Sequence, residues 1–170
     1  IGLSAIQGAR VAGASRIIAV DMSAEKLETA KVMGATDTLN ASETDDVVAA
    51  VKELTKGGVE YSFEAIGLKQ TAEQAFEMLA VGGTATIVGM VPSSTKLEIR
   101  GIDFLSEKKL QGSMMGSNQF RTDIPQMIDL YLNGRLLLDE MVSATIDLEQ
   151  VNEGYAWMKE GTVARTVISF

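Results

Sequence analysis

Apolar residues along the chain follow two alternating patterns: short runs of consecutive apolar positions, and longer stretches in which they recur every three or four residues. These are the periods of buried strands and of amphipathic helices. Leu3, Ile6 and Ala9, with Gly13, share one helical face, and residues 17–20 follow as a short apolar run closed by Asp21. Ser23 is placed to cap the next helix, which carries Leu27, Ala30 and Met33 inward and stops at Gly34, where a left-handed conformation costs little. A short strand is predicted at residues 38–39. Ser42 then opens a helix with Val47, Val48, Val51 and Leu54 on its inner face, Gly57-Gly58 ends it, and residues 61–65 form the next strand.

Ala72, Ala75, Phe76 and Leu79 make a further helical face, Gly82-Gly83 turns the chain, and residues 85–89 read as a buried strand. Strands at 97–99 and 110–114 flank a short helix near 102–105. Ile124, Met127, Ile128, Tyr131 and Leu132 then define an amphipathic helix ending at Asn133-Gly134. A strand at 142–146 precedes a helix carrying Val151, Tyr155 and Met158, whose start is marked by the capping-box pair Asp147 and Gln150. Residues 166–170 close the chain as a strand. Helices between successive strands require parallel pairing through right-handed crossovers, so the expected fold class is α/β with a doubly wound parallel sheet.

Composition narrows this picture. A chain of 170 residues, 46% apolar, fits one domain with a sizeable core, expected over residues 1–170. The formal charge of −8 repels phosphate backbones, and Lys108-Lys109 is the only adjacent basic pair, so no nucleic-acid partner is expected. No apolar run approaches the ~18 residues of a membrane span and no leader pattern is present, which makes a soluble cytoplasmic protein without a membrane partner the default expectation. Cysteine and histidine are both absent, removing thiolate and imidazole metal ligands and the commonest general base.

In open parallel sheets ligands sit at the carboxyl ends of the strands, which singles out Asp21, residues 65–67, 88–90 and 113–115. A dinucleotide fingerprint ends in a glycine that opens a helix and is followed about 20 residues later by an acid for the ribose hydroxyls. Gly2 and Asp21, nineteen positions apart, fit the tail of that pattern. The spacing alone also permits a helix-packing glycine and a solvated strand-end carboxylate. If the pattern is genuine, Asp21 favours NAD over NADP, because a carboxylate accepts from a free 2′-hydroxyl and repels a 2′-phosphate, and Met22 stands where an arginine would grip that phosphate.

Four segments carry a specific resemblance: GARVAGASRIIAVDMSAEKLETAKVMGAT, GGVEYSFEAIG, GGTATIVGMVP and VNEGYAWMKEGTVARTVISF. In this order they resemble the Rossmann-type cofactor domain of zinc-containing alcohol dehydrogenases of the medium-chain dehydrogenase/reductase group, nearest to the class III, formaldehyde dehydrogenase-like branch. The resemblance spans essentially the whole chain. It implies NAD as cofactor, with Gly2 at the pyrophosphate, Asp21 and Lys26 on the adenosine ribose, and Ile66 and Gly67 at the adenosine side. It further implies that Val88, Gly89 and Met90 approach the nicotinamide, that Ser113, Met114 and Met115 meet its carboxamide, and that Arg165 reaches the pyrophosphate. No role is implied for Trp157.

The resemblance starts inside the fingerprint, so the first strand of the doubly wound sheet, which lies between the strands at Ile17 and Phe63, is not among these residues. It also implies a separate catalytic domain that holds a hydride-transfer zinc, and the chain itself has no catalytic or metal-ligating residue to nominate. The chain alone is therefore expected to bind NAD weakly or not at all and to be inactive, with dehydrogenase activity confined to a longer parent protein. A homodimer is expected through the strands near 97–99 and 110–114. The alternatives are a free-standing nucleotide-binding module without catalysis and, more remotely, a methyltransferase-like fold that uses Asp21 on another ribose.

Overall fold

Every strand pairing in the computed structural model, which describes residues 1–170, is parallel, as interposed helices require. The residues form two compact units, Ile1–Gln119 and Phe120–Phe170. The first contains α1 (Gly2–Val11), β1 (Ile18–Asp21), α2 (Ala24–Met33), β2 (Asp37–Asn40), α3 (Val47–Thr55), β3 (Val59–Glu64), α4 (Lys69–Glu77), β4 (Leu79–Ile87) and β5 (Lys109–Gly112). The second contains α5 (Phe120–Leu132), β6 (Ala144–Ile146), α6 (Val151–Glu160) and β7 (Thr166–Ile168).

Within the first unit, β1 pairs with β2, and β3, β4 and β5 form a separate sheet in that order. No ladder joins β1 to β3, the break expected when the strand they would share does not lie between them. Each sheet has its own core. Ala19, Leu27 and Ala30 are buried together, with Leu3, Ile6 and Ala35 packed against them. Ala75, Phe76, Leu79 and Ala85 form the second cluster, covered by Val59, Ile99 and Leu110. α1 packs on α2 and also touches β3.

α2 follows the sequence pattern: the Ser23 hydroxyl accepts from the Lys26 N–H at 3.4 Å, the helix buries Leu27, Ala30 and Met33, and it ends before Gly34. Other boundaries differ, each for a local reason. α3 starts at Val47 rather than after Ser42, because Asp46 is the residue whose carboxylate accepts from the Ala49 N–H at 2.8 Å. Ser42 instead closes a turn, its N–H and hydroxyl both donating to Asn40 Oδ1. Gly82-Gly83 does not separate helix from strand. β4 already begins at Leu79, and the glycines lie in a bulge where the register jumps from Val59↔Leu79 to Tyr61↔Thr84.

Two expected strands are corrected. Residues 97–99 form no ladder, because the Glu98 N–H donates to the Glu73 carboxylate at 2.6 Å instead of to a strand carbonyl, while Ile99 still packs on the core. The strand expected at 110–114 stops at Gly112, since Met115, Gly116 and Ser117 take left-handed φ values of 49°, 74° and 51° that no strand accommodates. The short helix between them is a tight 3₁₀ turn, Gly101–Ser106.

In the second unit β6 pairs with β7, and Asp147 with Gln150 closes the expected capping box ahead of α6. Met141, Ile146 and Gly154 are its buried residues. No helix in the chain is long and apolar enough to cross a membrane.

Candidate functional site

Parallel pairing delivers the carboxyl ends of β3, β4 and β5 to one edge of their sheet, and the residues immediately beyond are those singled out by the sequence. Ile66 and Gly67 follow β3, Val88, Gly89 and Met90 follow β4, and Ser113, Met114 and Met115 follow β5. They are joined through the backbone. Val88 and Gly89 donate to the carbonyl of Glu64 at 2.8 and 3.0 Å, and Ser113 donates to the carbonyl of Ile87 at 2.9 Å.

The β3 and β4 loops meet without intervening side chains. A Cβ on Gly67, whose φ is +94°, would lie 2.6 Å from the Met90 carbonyl oxygen and 2.8 Å from its nitrogen. A Cβ on Gly89 would lie 2.8 Å from the Gly67 Cα. Any larger residue at either position would drive the loops apart, so the two glycines let the backbones that follow β3 and β4 pack directly on each other at the strand ends.

At this junction lies a residue that the sequence reading did not nominate. Glu64, the last residue of β3, is only 3% exposed. Its Oε1 accepts from the N–H groups of Ile66 and Gly67 at 2.9 and 2.7 Å and from the Thr71 hydroxyl at 2.7 Å. Three donors on this one oxygen offset part of the cost of burying the carboxylate, whose other oxygen has no hydrogen-bond partner. The available signal was its being the only charged residue in the run 61–68.

Asp21 and Lys26 stand at the end of the other sheet. Asp21 ends β1 opposite Asn40 of β2, and its Oδ1 accepts from the Ser23 N–H at 2.9 Å, leaving the second carboxylate oxygen unused by the protein. Lys26 is half-buried in the first turn of α2. The register that places Asp21 is fixed from the opposite end. Arg16 pairs with both oxygens of Asp37 at 2.8 and 2.6 Å and donates to the Leu54 carbonyl at 2.6 Å, tying the starts of β1 and β2 to the end of α3. The Arg16 guanidinium, helped by the Thr36 hydroxyl, holds the Asp37 carboxyl down to about 2.

Gly2 opens α1 behind Ile1, which provides no side-chain cap, and a Cβ on it would meet nothing within 4 Å. The first-turn N–H groups of such a helix face the solvent with the positive end of its dipole. Met90, Met114 and Met115 are 93%, 84% and 80% exposed, so they are not core residues within this chain. Arg165 belongs to the second unit, where its side chain is exposed and its carbonyl accepts from the Ser143 N–H at 2.8 Å.

These features fit a dinucleotide: an acid with a spare oxygen, an uncapped helix start and a glycine-floored strand edge. They do not fit zinc. No group of three or more acidic, histidine or cysteine side chains is placed to hold a metal ion, so no chemical step in this chain is assigned to one.

Residues 1–133 match the zinc-binding dehydrogenase family model. The class-P alcohol dehydrogenase of Arabidopsis thaliana is 35% identical over 99% of this chain and 45% of its own length. The class-3 alcohol dehydrogenase of Cereibacter sphaeroides is 34% identical over 100% of this chain and 47% of its own. Among solved structures, benzyl alcohol dehydrogenase from Acinetobacter calcoaceticus superposes with a TM-score of 0.93 at 33% identity, over 98% of this chain and 46% of that one. A zinc-binding dehydrogenase from Sinorhizobium meliloti, solved with NADP bound, gives a TM-score of 0.82 at 34% identity over 90% of this chain and 44% of that one. The chain thus spans about half the length of the curated relatives it matches. With its parallel α/β architecture, its strand-end glycines and this match over most of its length, the chain belongs to the zinc-binding dehydrogenase family.

Proposed function

We propose that residues 1–170 form the NAD-binding domain of a longer, zinc-dependent alcohol dehydrogenase that transfers a hydride between an alcohol, or a thiol adduct of formaldehyde, and NAD. The observation that carries this reading is Asp21, an acid at the carboxyl end of β1 with one oxygen held by the Ser23 N–H and the other uncommitted. Bound nicotinamide supplies the hydride acceptor. The uncommitted oxygen of Asp21 accepts from the ribose hydroxyls, and Lys26 is near enough in sequence to donate to them. The backbone of Ile66, Gly67, Val88 and Gly89, at the carboxyl ends of β3 and β4, lies against the cofactor. Met90, Met114 and Met115 shield the nicotinamide from water, while the start of α1 at Gly2 offers the positive end of a helix dipole to the pyrophosphate.

The NADP-bound relative supports a nicotinamide dinucleotide as the ligand class, and the Asp21 charge directs the choice to the cofactor lacking the 2′-phosphate. A homodimer belongs to the same reading: β5 is an edge strand of its sheet, and its outer backbone groups are available to a second copy. The setting proposed is the cytoplasm.

Calorimetric titration of the full-length protein with NAD and NADP tests the proposal. Saturable NAD binding at least ~10-fold tighter than NADP binding is expected, with reduced nicotinamide appearing on addition of benzyl alcohol. Absence of saturable binding by either cofactor overturns the reading. Sedimentation at micromolar concentration reads the dimer directly.

A further inference from the structure

A buried carboxylate that touches both loops of the site, yet belongs to no role assigned above, invites a role of its own. Glu64 engages the β3 loop through its side chain and the β4 loop through its main chain. Oε1 holds Ile66, Gly67 and Thr71, and the carbonyl holds Val88 and Gly89. Its other carboxylate oxygen, Oε2, is fully buried and has no hydrogen-bond partner. That oxygen lies 2.5 Å from the point where a Cβ on Gly89 would stand, so the side chain fills the volume that the glycine leaves vacant. No cation neutralises it; its charge is met by two peptide N–H groups and a hydroxyl. A hydrophobic residue would fill the same space with no hold on the loop. An aspartate, one methylene shorter, would not span it.

We propose that Glu64 is a positioning residue of the dinucleotide site. By clamping the β3 loop to the β4 loop, it holds the backbone of Ile66–Gly67 and Val88–Gly89 as one preorganised floor for the cofactor. This rests on the cofactor reading above. Glu64 touches no reacting atom in this role. It lowers the cost of binding by fixing loops that the cofactor would otherwise have to order.

The test uses the full-length protein and two substitutions. Glu64→Gln keeps an acceptor oxygen at the Oε1 position and fills the same volume, whereas Glu64→Ala removes both. NAD titration by calorimetry is expected to give a dissociation constant raised ~10-fold or more in Glu64→Ala and within ~3-fold of wild type in Glu64→Gln. The second readout needs no ligand. Amide hydrogen exchange at residues 66 and 67, whose N–H groups donate to Oε1, is expected to quicken ~10-fold or more in Glu64→Ala, while exchange at Val88 and Gly89, held by the Glu64 main-chain carbonyl, and at Ala30 and Met33 of α2 stays near the wild-type rate. If Glu64→Ala does not fold, Thr71→Val removes one donor from Oε1 and is expected to weaken NAD binding ~3-fold.

Exchange in Glu64→Ala that quickens everywhere equally, or NAD affinity within ~2-fold of wild type, overturns the clamp. Equal impairment of the Gln and Ala variants overturns it as well, because charge and not acceptor geometry would then govern. A wild-type protein that binds no dinucleotide overturns the cofactor reading instead, and is told apart by the exchange pattern, which does not depend on it.

Discussion

Glu64 and Gly89 share one volume: the Oε2 atom of the glutamate stands 2.5 Å from where a Cβ on the glycine would lie, although 24 intervening residues separate them in sequence. Gly89→Ala therefore places a methyl group against the Glu64 carboxylate and the Gly67 backbone at once. The backbone cannot yield without breaking the bonds that Val88 and Gly89 make to the Glu64 carbonyl. Overpacking of this kind costs about 1–3 kcal/mol. Urea unfolding should show a lower midpoint for Gly89→Ala, and the same protein should bind NAD more weakly at temperatures where it is fully folded.

The core of the β3–β4–β5 sheet is centred on Phe76, which is 0% exposed and has its ring centroid 5.1 Å from that of Phe104. Phe76 lies on α4 in one cluster with Ala75, Leu79 and Ala85, all buried, so truncation opens a cavity among side chains that are already packed. Phe76→Ala is expected to lose about 3–5 kcal/mol, the usual range for a buried phenylalanine. Phe76→Leu, which conserves most of the volume, should lose markedly less. Denaturant titration of both variants distinguishes a packing effect from a general intolerance of substitution.

The ion pair at the base of the other sheet makes stability depend on pH in a defined window. Arg16, through its hydrogen bonds, lowers the Asp37 carboxyl from the ordinary aspartate range to about 2 in the folded chain. A depressed folded value means that the carboxylate form is favoured by folding. The contribution is fully present above pH ~4 and is lost as pH falls through the folded value near 2. Both partners are partly solvated, so salt should weaken the effect. Asp37→Asn should melt below wild type at neutral pH, and the gap should close on acidification from pH ~4 towards ~2. A gap that is constant over that interval would show that the pair contributes nothing to folding.

The layered α/β fold was legible because burial periodicity is a local property: Leu27, Ala30 and Met33 repeat on one face whatever surrounds them, and Ser23 caps α2 with a bond to a residue three positions away. Features that depend on distant partners were not. The apolar run 97–99 reads as a strand in isolation, but a strand needs a ladder, and Glu73 takes the Glu98 N–H first. The methionines at 114 and 115 read as a strand end, and only the left-handed backbone at 115–117 shows why the strand has already stopped. Gly67 and Gly89 were found from their places after apolar runs, whereas the reason they are glycines is the mutual approach of two loops. Glu64 escaped notice because its carboxylate is meaningful only once those loops are brought together.

Cofactor choice offers the sharpest functional test, because it turns on one carboxylate. Asp21 ends β1 with Oδ1 fixed by the Ser23 N–H, so the side chain is oriented before any ligand arrives. An oriented carboxylate accepts from a ribose 2′-hydroxyl without further loss of rotamer freedom, and it repels a 2′-phosphate in the same place. Asp21→Asn retains an oxygen for the Ser23 N–H but loses the charge, and should weaken NAD ~10-fold while leaving NADP binding unchanged or improved. Adding Met22→Arg at the exposed neighbouring position supplies a guanidinium suited to a phosphate, and the double variant should prefer NADP. Competitive titration of the two cofactors against wild type and both variants measures the preference as a ratio, free of differences in protein activity. An unchanged ratio across the three proteins would remove Asp21 from the site.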